Sequence, residues 1–410
     1  MPYIFALLSL LLAVATHADN PTPQRVLLIS IDGYRHDYTA LHKPPFLTEF
    51  RQRGAVLASL RPAFPTKTFP NHLTLVTGML PAHHGIVYNS FYAPDIGRPY
   101  NKSQRAAVTN PDFYLAEPLW VLLERQGRKT ATYFWPGSEA SIGGISPSIV
   151  KPYNKSTPTQ ARIDEVLGWI GQRGPDAPAF MTLYFSQVDD AGHVHGPTSK
   201  ATKAAIFSLD KQLKMLWTQA QKLDPSLNLV IVSDHGMQAL VAGQTEPLVK
   251  AGSEQLLENY RWVGNGPTVQ LYKKNNATAP ARVAAALNQT AQHFACHTPV
   301  SAPAALAITN TQRMGDILCV ADQRWNIATP NARSFSKGNH GWHAQEQLDP
   351  AAKDLHGIFY AQGPAFKTGV VHTTQDNIHV MPLLAKILGV ETSKDLDGSA
   401  AALTPLLHQN

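Results

Sequence analysis

The sequence has few charged residues and few cysteines. Asp, Glu, Lys and Arg make up 16% of its 410 residues, whereas hydrophobic residues make up 44%. Disordered chains and coiled coils need far more charge, so the composition predicts a globular protein with a large core. The cysteines are Cys296 and Cys319. Two lone cysteines do not make a zinc knuckle, and in an oxidising compartment we expect them to form a disulfide.

The sequence also lacks any block of basic residues. Its formal net charge of +6 is spread along the chain. We interpret this charge as ordinary solvated surface that gives at most weak steering of anionic substrates, and not as a nucleic-acid site.

One long apolar run, IFALLSLLLAVA, occupies residues 4–15, and no Lys or Arg precedes it. It is shorter than the roughly 20 residues that a membrane span needs, and small residues follow it. We therefore predict a signal peptide at residues 1–18 and a periplasmic or secreted mature protein without a stable membrane span.

Hydrophobic periodicity predicts an α/β fold. Apolar stretches typical of buried strands lie at residues 25–31, 129–135, 179–188, 227–233 and 356–363. Helix-like stretches lie between them at 118–127, 162–174 and 202–223. Strands that alternate with helices form a mostly parallel sheet with helices on both faces. Residues 245–330 break the alternation, and we predict an inserted subdomain there, within a single domain over residues 19–410.

Three aspartates, Asp32, Asp189 and Asp234, directly follow predicted strands. Ligands of parallel sheets bind at the carboxyl edge, so we expect these carboxylates to converge there. Converging carboxylates repel one another unless a cation lies among them. His193 and His235 lie close by in the chain, and a mixed set of carboxylate and imidazole ligands suits zinc better than manganese or iron. Two ions about 4 Å apart are suited to displacement at phosphorus.

A nucleophile is expected in the loop FPTKTFPNHLTLVTG, residues 64–78. A threonine hydroxyl that binds a metal ion can lose its proton and attack. Thr66, Thr68, Thr74 and Thr77 all qualify by this chemistry, and the residues alone leave the choice open.

The chain resembles the nucleotide pyrophosphatase/phosphodiesterase family (type I phosphodiesterases) of the alkaline phosphatase superfamily. The similar stretches run, in the family's order, from about residue 26 to residue 366: ISIDGYRHDY, FPTKTFPNHLTLVTG, HGIVYNSFY, FWPGSE, VDDAGHVHGP, VSDHGM, GNHGWH and IFYAQGPAF. The resemblance implies a hydrolase with an alkaline-phosphatase-like catalytic domain.

The resemblance also implies residue roles. Thr68 is expected to be the nucleophile, to bind metal, and to form a covalent intermediate. Two zinc ions are expected, one held by Asp32, Asp234 and His235 and the other by Asp189, His193 and His340. Asn89 is expected to donate a hydrogen bond to a phosphate oxygen. Phe69 and Tyr153 match positions whose rings sandwich a nucleotide base, by stacking that does not depend on base identity.

The expected substrate is a small nucleotide or another phosphodiester. The nucleophile loop has no Arg to balance the extra charge of a monoester dianion, which favours a diester substrate. Cleavage of a nucleotide would release a nucleoside 5′-monophosphate. The chain departs from the family at Trp342, His343 and Ala344, where Tyr-Asp-Asn is usual, and at Ser90, where many members have Lys. An alternative is hydrolysis of choline phosphodiesters such as lysophospholipids or glycerophosphocholine, although no cage for a quaternary ammonium is identifiable. A third is a catalytically inactive metal-binding protein.

Overall fold

The computed structural model describes residues 24–308, 312–329 and 336–408. The predicted signal peptide lies outside these ranges. The strands are β1 (Arg25–Ile31), β2 (Ala55–Leu57), β3 (Leu60–Arg61), β4 (Ser90–Ala93), β5 (Arg98–Asn101), β6 (Thr130–Tyr133), β7 (Ile149–Lys151), β8 (Phe180–Phe185), β9 (Leu227–Val232), β10 (Gln238–Ala239), β11 (Thr245–Pro247), β12 (Tyr260–Val263), β13 (Thr268–Lys273), β14 (Phe294–His297), β15 (Ile317–Ala321), β16 (Asn326–Ala328), β17 (Gly338–Asn339), β18 (Phe359–Gln362), β19 (Val370–His372) and β20 (Gln375–Asp376).

The α-helices are α1 (Tyr38–His42), α2 (Pro45–Arg53), α3 (Thr68–Thr77), α4 (Pro81–His84), α5 (Arg105–Val108), α6 (Leu119–Arg125), α7 (Thr159–Gly171), α8 (Gln187–His195), α9 (Lys200–Leu223), α10 (Pro280–Thr290) and α11 (Val380–Leu388). Short 3₁₀ segments lie at Pro111–Phe113, Glu254–Leu257, Ala304–Leu306, Pro350–Leu355, Asn377–His379, Ala400–Ala402 and Thr404–Leu406. Within the described ranges, no helix combines the length and apolar character needed to cross a bilayer.

The central sheet has eight strands in the order β19-β2-β18-β9-β1-β8-β6-β7. Its middle is parallel, because β1 pairs in parallel with β8 and β9, and β6 with β8 and β7. The exception is β18, which runs antiparallel to β9 and β2. The chain before β18 is already bonded to the loop after β9, through Gly236 N–H and the Leu355 carbonyl at 2.7 Å, so it re-enters the sheet from the carboxyl edge. The predicted α/β fold is confirmed.

Both faces of the sheet are covered by helices, as the continuous apolar run of β1 predicts. Val26 and Leu28 pack in a core cluster with residues of α3 and α11, whereas Leu27 and Ile29 pack with residues of α7 and α9. Each of these four side chains is fully buried. Burial of one such side chain contributes about 1.5–3 kcal/mol, so the two helical layers hold β1, and the residue that follows it, at a fixed place.

A second, antiparallel sheet with the order β12-β13-β15-β14 lies within the predicted insertion. Helix α10 packs against it in a third hydrophobic cluster. Cys296 and Cys319 lie opposite each other on β14 and β15 and form a disulfide. The division into one catalytic domain with an insertion at about 245–330 stays a prediction.

One strand end differs from the sequence prediction and concerns the site directly. The apolar stretch 179–188 was predicted to be a strand ending at Asp189, but β8 ends at Phe185 and α8 begins at Gln187. Asp189 therefore lies in the first turn of a helix and not directly after a strand.

Candidate metal centre and active site

A first candidate metal group lies where two central strands end. Asp32 directly follows β1, and Asp234 and His235 follow the neighbouring strand β9. The ligand atoms of these three residues all lie within 4.8 Å of one another. His235 Nε2 is 3.4 Å from Asp32 Oδ1 and 3.1 Å from Asp234 Oδ2. All three residues are buried, so the group is inside the protein at the carboxyl edge of the sheet.

Three polar atoms of this group are buried without a hydrogen-bond partner: Asp32 Oδ1, Asp234 Oδ2 and His235 Nε2. His235 Nδ1 donates to the Gly236 carbonyl at 2.9 Å, so in the neutral ring Nε2 carries a lone pair. An unsatisfied buried polar group costs roughly 1–3 kcal/mol, and here three electron-pair donors also face one another. A divalent cation bound among them would satisfy all three, and two carboxylates with an imidazole suit zinc.

The electrostatics of Asp32 agree with this interpretation. Burial raises the pKa of its carboxyl well above the usual range, and the charges of Asp234 and Asp189 raise it further, against a hydrogen bond from Tyr184 that lowers it. A cation between the carboxylates removes the repulsion that raises this pKa.

A second candidate group consists of Asp189, His193 and His340. Asp189 and His193 lie one turn apart on α8, and His193 Nε2 is 3.4 Å from Asp189 Oδ1. His340 Nε2 is 3.6 Å from the same oxygen. The Nδ1 atoms of both imidazoles donate to backbone carbonyls, those of Gly338 and Thr66.

These backbone bonds leave the two Nε2 atoms as acceptors, yet they lie only 3.1 Å apart. Two lone pairs at that distance repel each other, and a metal ion between them would turn the repulsion into ligation. The two groups also adjoin, because the rings of His235 and His340 stack with 3.6 Å between their centroids. The arrangement therefore fits a pair of neighbouring metal ions.

Thr68 is the first residue of α3, and it is buried at the edge of the site. His72, one turn later, donates from Nδ1 to the Thr68 carbonyl at 2.8 Å and lies 3.3 Å from Asp234 Oδ2. Lys67 donates to the His340 carbonyl. The start of α3 is thus tied to both candidate metal groups, and its N-terminal dipole favours a negative charge there.

Asn89 lies beside the start of the same helix. Its Oδ1 accepts a hydrogen bond from the Phe69 backbone N–H at 3.0 Å. Because Oδ1 is used in this way, the side-chain N–H₂ is left to donate toward a ligand at the helix N-terminus. The sequence prediction for Asn89 as a donor is compatible with this geometry.

A cavity of about 460 Å³ opens beside Thr68. Its lining includes the rings of Phe69, Phe134, Trp135, Tyr153 and Tyr184. Tyr153 is 47% exposed, so one part of its ring is available to a ligand. Phe69 and Tyr153, the two residues predicted to hold a base, thus line one cavity next to the predicted nucleophile, while the sandwich itself stays a prediction.

The lining of this cavity also carries charged residues. Glu139 Oε1 accepts from the Tyr153 backbone N–H at 3.0 Å, and its other oxygen forms an ion pair with Arg105. This contact fixes the segment that carries Tyr153. Lys102 also lines the cavity.

Sequence reasoning missed two residues beside the metal groups. Tyr184, in β8, donates from its hydroxyl to Asp32 Oδ2 at 2.5 Å while its ring lines the cavity. His72 is not singled out by any motif, but it is fully buried and bonds Ser30 Oγ through Nε2 at 2.8 Å. Both contacts join segments that are distant in the chain, so no local pattern could have revealed them.

The unusual segment after His340 packs inside the protein. Trp342 is fully buried and donates from Nε1 to the Trp325 carbonyl at 3.1 Å, and the Ala344 carbonyl accepts from His356. Neither Trp342, His343 nor Ala344 is among the residues that line the cavity. The departure from the family pattern therefore changes the packing beneath the site.

Comparison with known proteins gives one consistent result. A family model described as type I phosphodiesterase / nucleotide pyrophosphatase matches residues 26–343. The mouse ectonucleotide pyrophosphatase/phosphodiesterase family member 1 is 33% identical over 396 residues, which cover 93% of this chain and 42% of that protein. A venom phosphodiesterase of Macrovipera lebetinus is 32% identical over 396 residues, 93% of this chain and 45% of the venom protein. The chain thus spans less than half the length of these relatives.

Solved structures agree with the sequence relatives. Murine ectonucleotide pyrophosphatase/phosphodiesterase 5, an inactive threonine-to-alanine variant in complex with AMP, superimposes with a TM-score of 0.85 at 27% sequence identity. The match covers 94% of this chain and 100% of that one. The human counterpart gives the same TM-score at 28% identity.

Proposed function

This chain belongs to the type I phosphodiesterase/nucleotide pyrophosphatase family, and we propose that it hydrolyses nucleotide phosphodiester and pyrophosphate bonds to release nucleoside 5′-monophosphates. The observation that carries this proposal is the position of Thr68. It begins a helix, lies beside two groups of metal-ligand type, and faces a cavity lined by aromatic rings.

The donor sets fit two zinc ions, one held by Asp32, Asp234, His235 and Thr68 and the other by Asp189, His193 and His340. When bound, zinc would neutralise the carboxylates, polarise the phosphate and lower the pKa of the attacking hydroxyl and of water. Apart from Thr68, each zinc ion would have three protein ligands. Each ion would therefore keep a coordination position for substrate or water, as catalytic zinc sites do.

Thr68 is the proposed nucleophile. Its Oγ would attack the α-phosphorus as its proton leaves, and the bond to the pyrophosphate or alcohol leaving group would break. Water would then attack the phosphothreonine ester, release the nucleoside 5′-monophosphate and return a proton to Oγ. The inactive threonine-to-alanine relative that holds AMP supports both the nucleophile and the product.

The other residues would bind and orient the substrate. Asn89 would donate from its amide to a non-bridging oxygen of the α-phosphate, and Phe69 and Tyr153 would stack on the base. Stacking on an aromatic ring contributes roughly 1–3 kcal/mol per base and tolerates any base. The predicted signal peptide and the venom relatives support a secreted or periplasmic location for this activity.

The choline alternative is not favoured. Recognition of a quaternary ammonium needs an aromatic or acidic cage, and the acidic residue in the cavity lining, Glu139, is already paired with Arg105. The similar proteins are named as a nucleotide pyrophosphatase/phosphodiesterase and a phosphodiesterase.

A kinetic panel on zinc-loaded protein tests the proposal. Rates would be compared on an aryl ester of thymidine 5′-monophosphate, ATP, an aryl phosphate monoester and an aryl phosphocholine. We expect the two nucleotides to be the best substrates and AMP to be a product of ATP. A preference for the monoester or for phosphocholine would overturn the proposal, and no hydrolysis of any diester would favour the inactive binding protein.

A further inference from the structure

Lys102 lies directly across a β-hairpin from Asn89. Strands β4 and β5 are antiparallel, with Ser90 opposite Asn101, and the Lys102 N–H donates to the Asn89 carbonyl at 2.9 Å. Residues opposite each other in such a ladder project their side chains to the same face, with Cβ atoms about 4.5–5.5 Å apart. Asn89 is bonded to the start of α3, so Lys102 is on the face of the hairpin next to the nucleophile.

The side chain of Lys102 reaches the substrate cavity. Lys102 lines the same cavity as Thr68, Phe69 and Tyr153. An ammonium in this lining can act on a phosphate that is bound beside Thr68.

Lys102 differs from the other cation of the cavity lining. Arg105 is paired with Glu139, which neutralises it. Lys102 is exposed, and among the residues the structure describes it has no carboxylate partner within ion-pair distance. Its charge is therefore available to a ligand.

We propose that Lys102 determines specificity by contacting the phosphate chain of the substrate, so that the enzyme prefers nucleotides with an anionic leaving group, such as nucleoside triphosphates and dinucleoside polyphosphates. This inference rests on the proposed function. A phosphate chain carries several charged oxygens, and hydrogen bonds between charged groups are stronger than neutral ones. An aryl alcohol leaving group offers no such partner.

The test compares ATP with an aryl ester of thymidine 5′-monophosphate for the wild type and for Lys102→Ala, Lys102→Gln and Lys102→Arg. We expect kcat/KM for ATP to fall about 10- to 100-fold in the Ala and Gln variants, while kcat/KM for the aryl ester falls less than about 3-fold. The Lys102→Arg variant should retain most of the preference for ATP over the aryl ester. The dependence of ATP hydrolysis on ionic strength should also be weaker in Lys102→Ala than in the wild type.

Lys222→Ala is the matched control, since Lys222 is an exposed lysine near the end of α9 and outside the cavity. Zinc content and thermal unfolding of each variant should match the wild type, because Lys102 is exposed. Equal losses on both substrates would overturn the specificity role, and so would no loss on either. Failure of the wild type on the aryl ester would instead contradict the proposed function itself.

Discussion

Tyr184 and Asp32 are joined by a hydrogen bond of 2.5 Å between the phenolic oxygen and Asp32 Oδ2. The bond links two neighbouring parallel strands, and it uses one oxygen of the carboxylate. The other oxygen, Oδ1, is left facing His235. A partner of this kind would fix the orientation of a metal ligand, and Tyr184 connects the aromatic cavity to the first candidate metal group.

We predict that Tyr184→Phe lowers the affinity for the zinc ion proposed to bind Asp32 by about 10- to 100-fold. The ring remains in this variant, but the hydrogen bond that orients Asp32 is lost. Competition with a chromophoric chelator would resolve the two binding steps. Tyr153→Phe makes the same chemical change in another ring of the cavity lining and should leave both steps unchanged. Identical zinc affinities for Tyr184→Phe and the wild type would show that the bond does not support the site.

Thr68→Ala should reduce turnover of nucleotide diesters by about 10³-fold or more, since it removes the oxygen that we propose as the nucleophile. Both zinc ions should stay bound, because each retains three protein ligands. Thr68→Ser keeps a hydroxyl and should retain measurable activity. Metal analysis measures the zinc content of each variant, and single-turnover kinetics measures its rate of hydrolysis. Substantial activity in the Thr68→Ala variant would contradict the proposed role of Thr68.

His193→Ala should reduce the zinc content from two ions to about one per chain, because it removes a proposed ligand of the second group. The matched control is His195→Ala, which changes an exposed histidine two residues later on α8. Elemental analysis after dialysis measures the difference. If both variants kept two ions, His193 would not be a ligand.

Tyr153→Ala should raise KM for nucleotides about 5- to 150-fold, as one stacking surface is removed. A substrate without a base, such as bis(4-nitrophenyl) phosphate, should be affected little by the same change. Steady-state kinetics on both substrates would separate stacking from a general disturbance of the cavity. Equal effects on the two substrates would argue against base stacking.

Acid should destabilise the fold in part through His84. This ring is buried, with Nε2 at 3.0 Å from the Pro70 carbonyl, and Nδ1 accepts from the Ile86 N–H at 3.2 Å. Burial lowers its pKa from 6.5 to about 3. The contribution of the neutral ring to stability is therefore complete above pH 6.5 and is lost as the pH falls toward 3, because only the unfolded chain binds the proton in that range.

The free energy of unfolding from urea titrations at several pH values would measure this effect. Between pH 6 and pH 4, the wild type should lose roughly 1.4 kcal/mol per pH unit more than His84→Gln. His408→Gln, at an exposed position, should follow the wild type. Parallel pH dependences of the wild type and His84→Gln would refute the role of His84.

Much of the fold could be predicted from periodicity. Strands β1 and β9 and helix α9 lie close to their predicted ranges, because a long apolar run or a long amphipathic pattern records its environment directly. The end of the predicted strand at 179–188 was wrong. There the apolar run continues through Val188 into α8, and whether such a residue belongs to a strand or a helix depends on the neighbours that the folded chain provides.

The sequence by itself determined the family, and it predicted the candidate ligands and their order along the chain, because motifs only a few residues long carry this information. Only the tertiary structure decided that Asp32 meets Tyr184, that His72 bonds the Thr68 carbonyl, and that Lys102 lies opposite Asn89. The physical reason is that a local pattern fixes the conformation of its own segment. Contacts between segments far apart in the chain arise only when the sheet and its helices have packed.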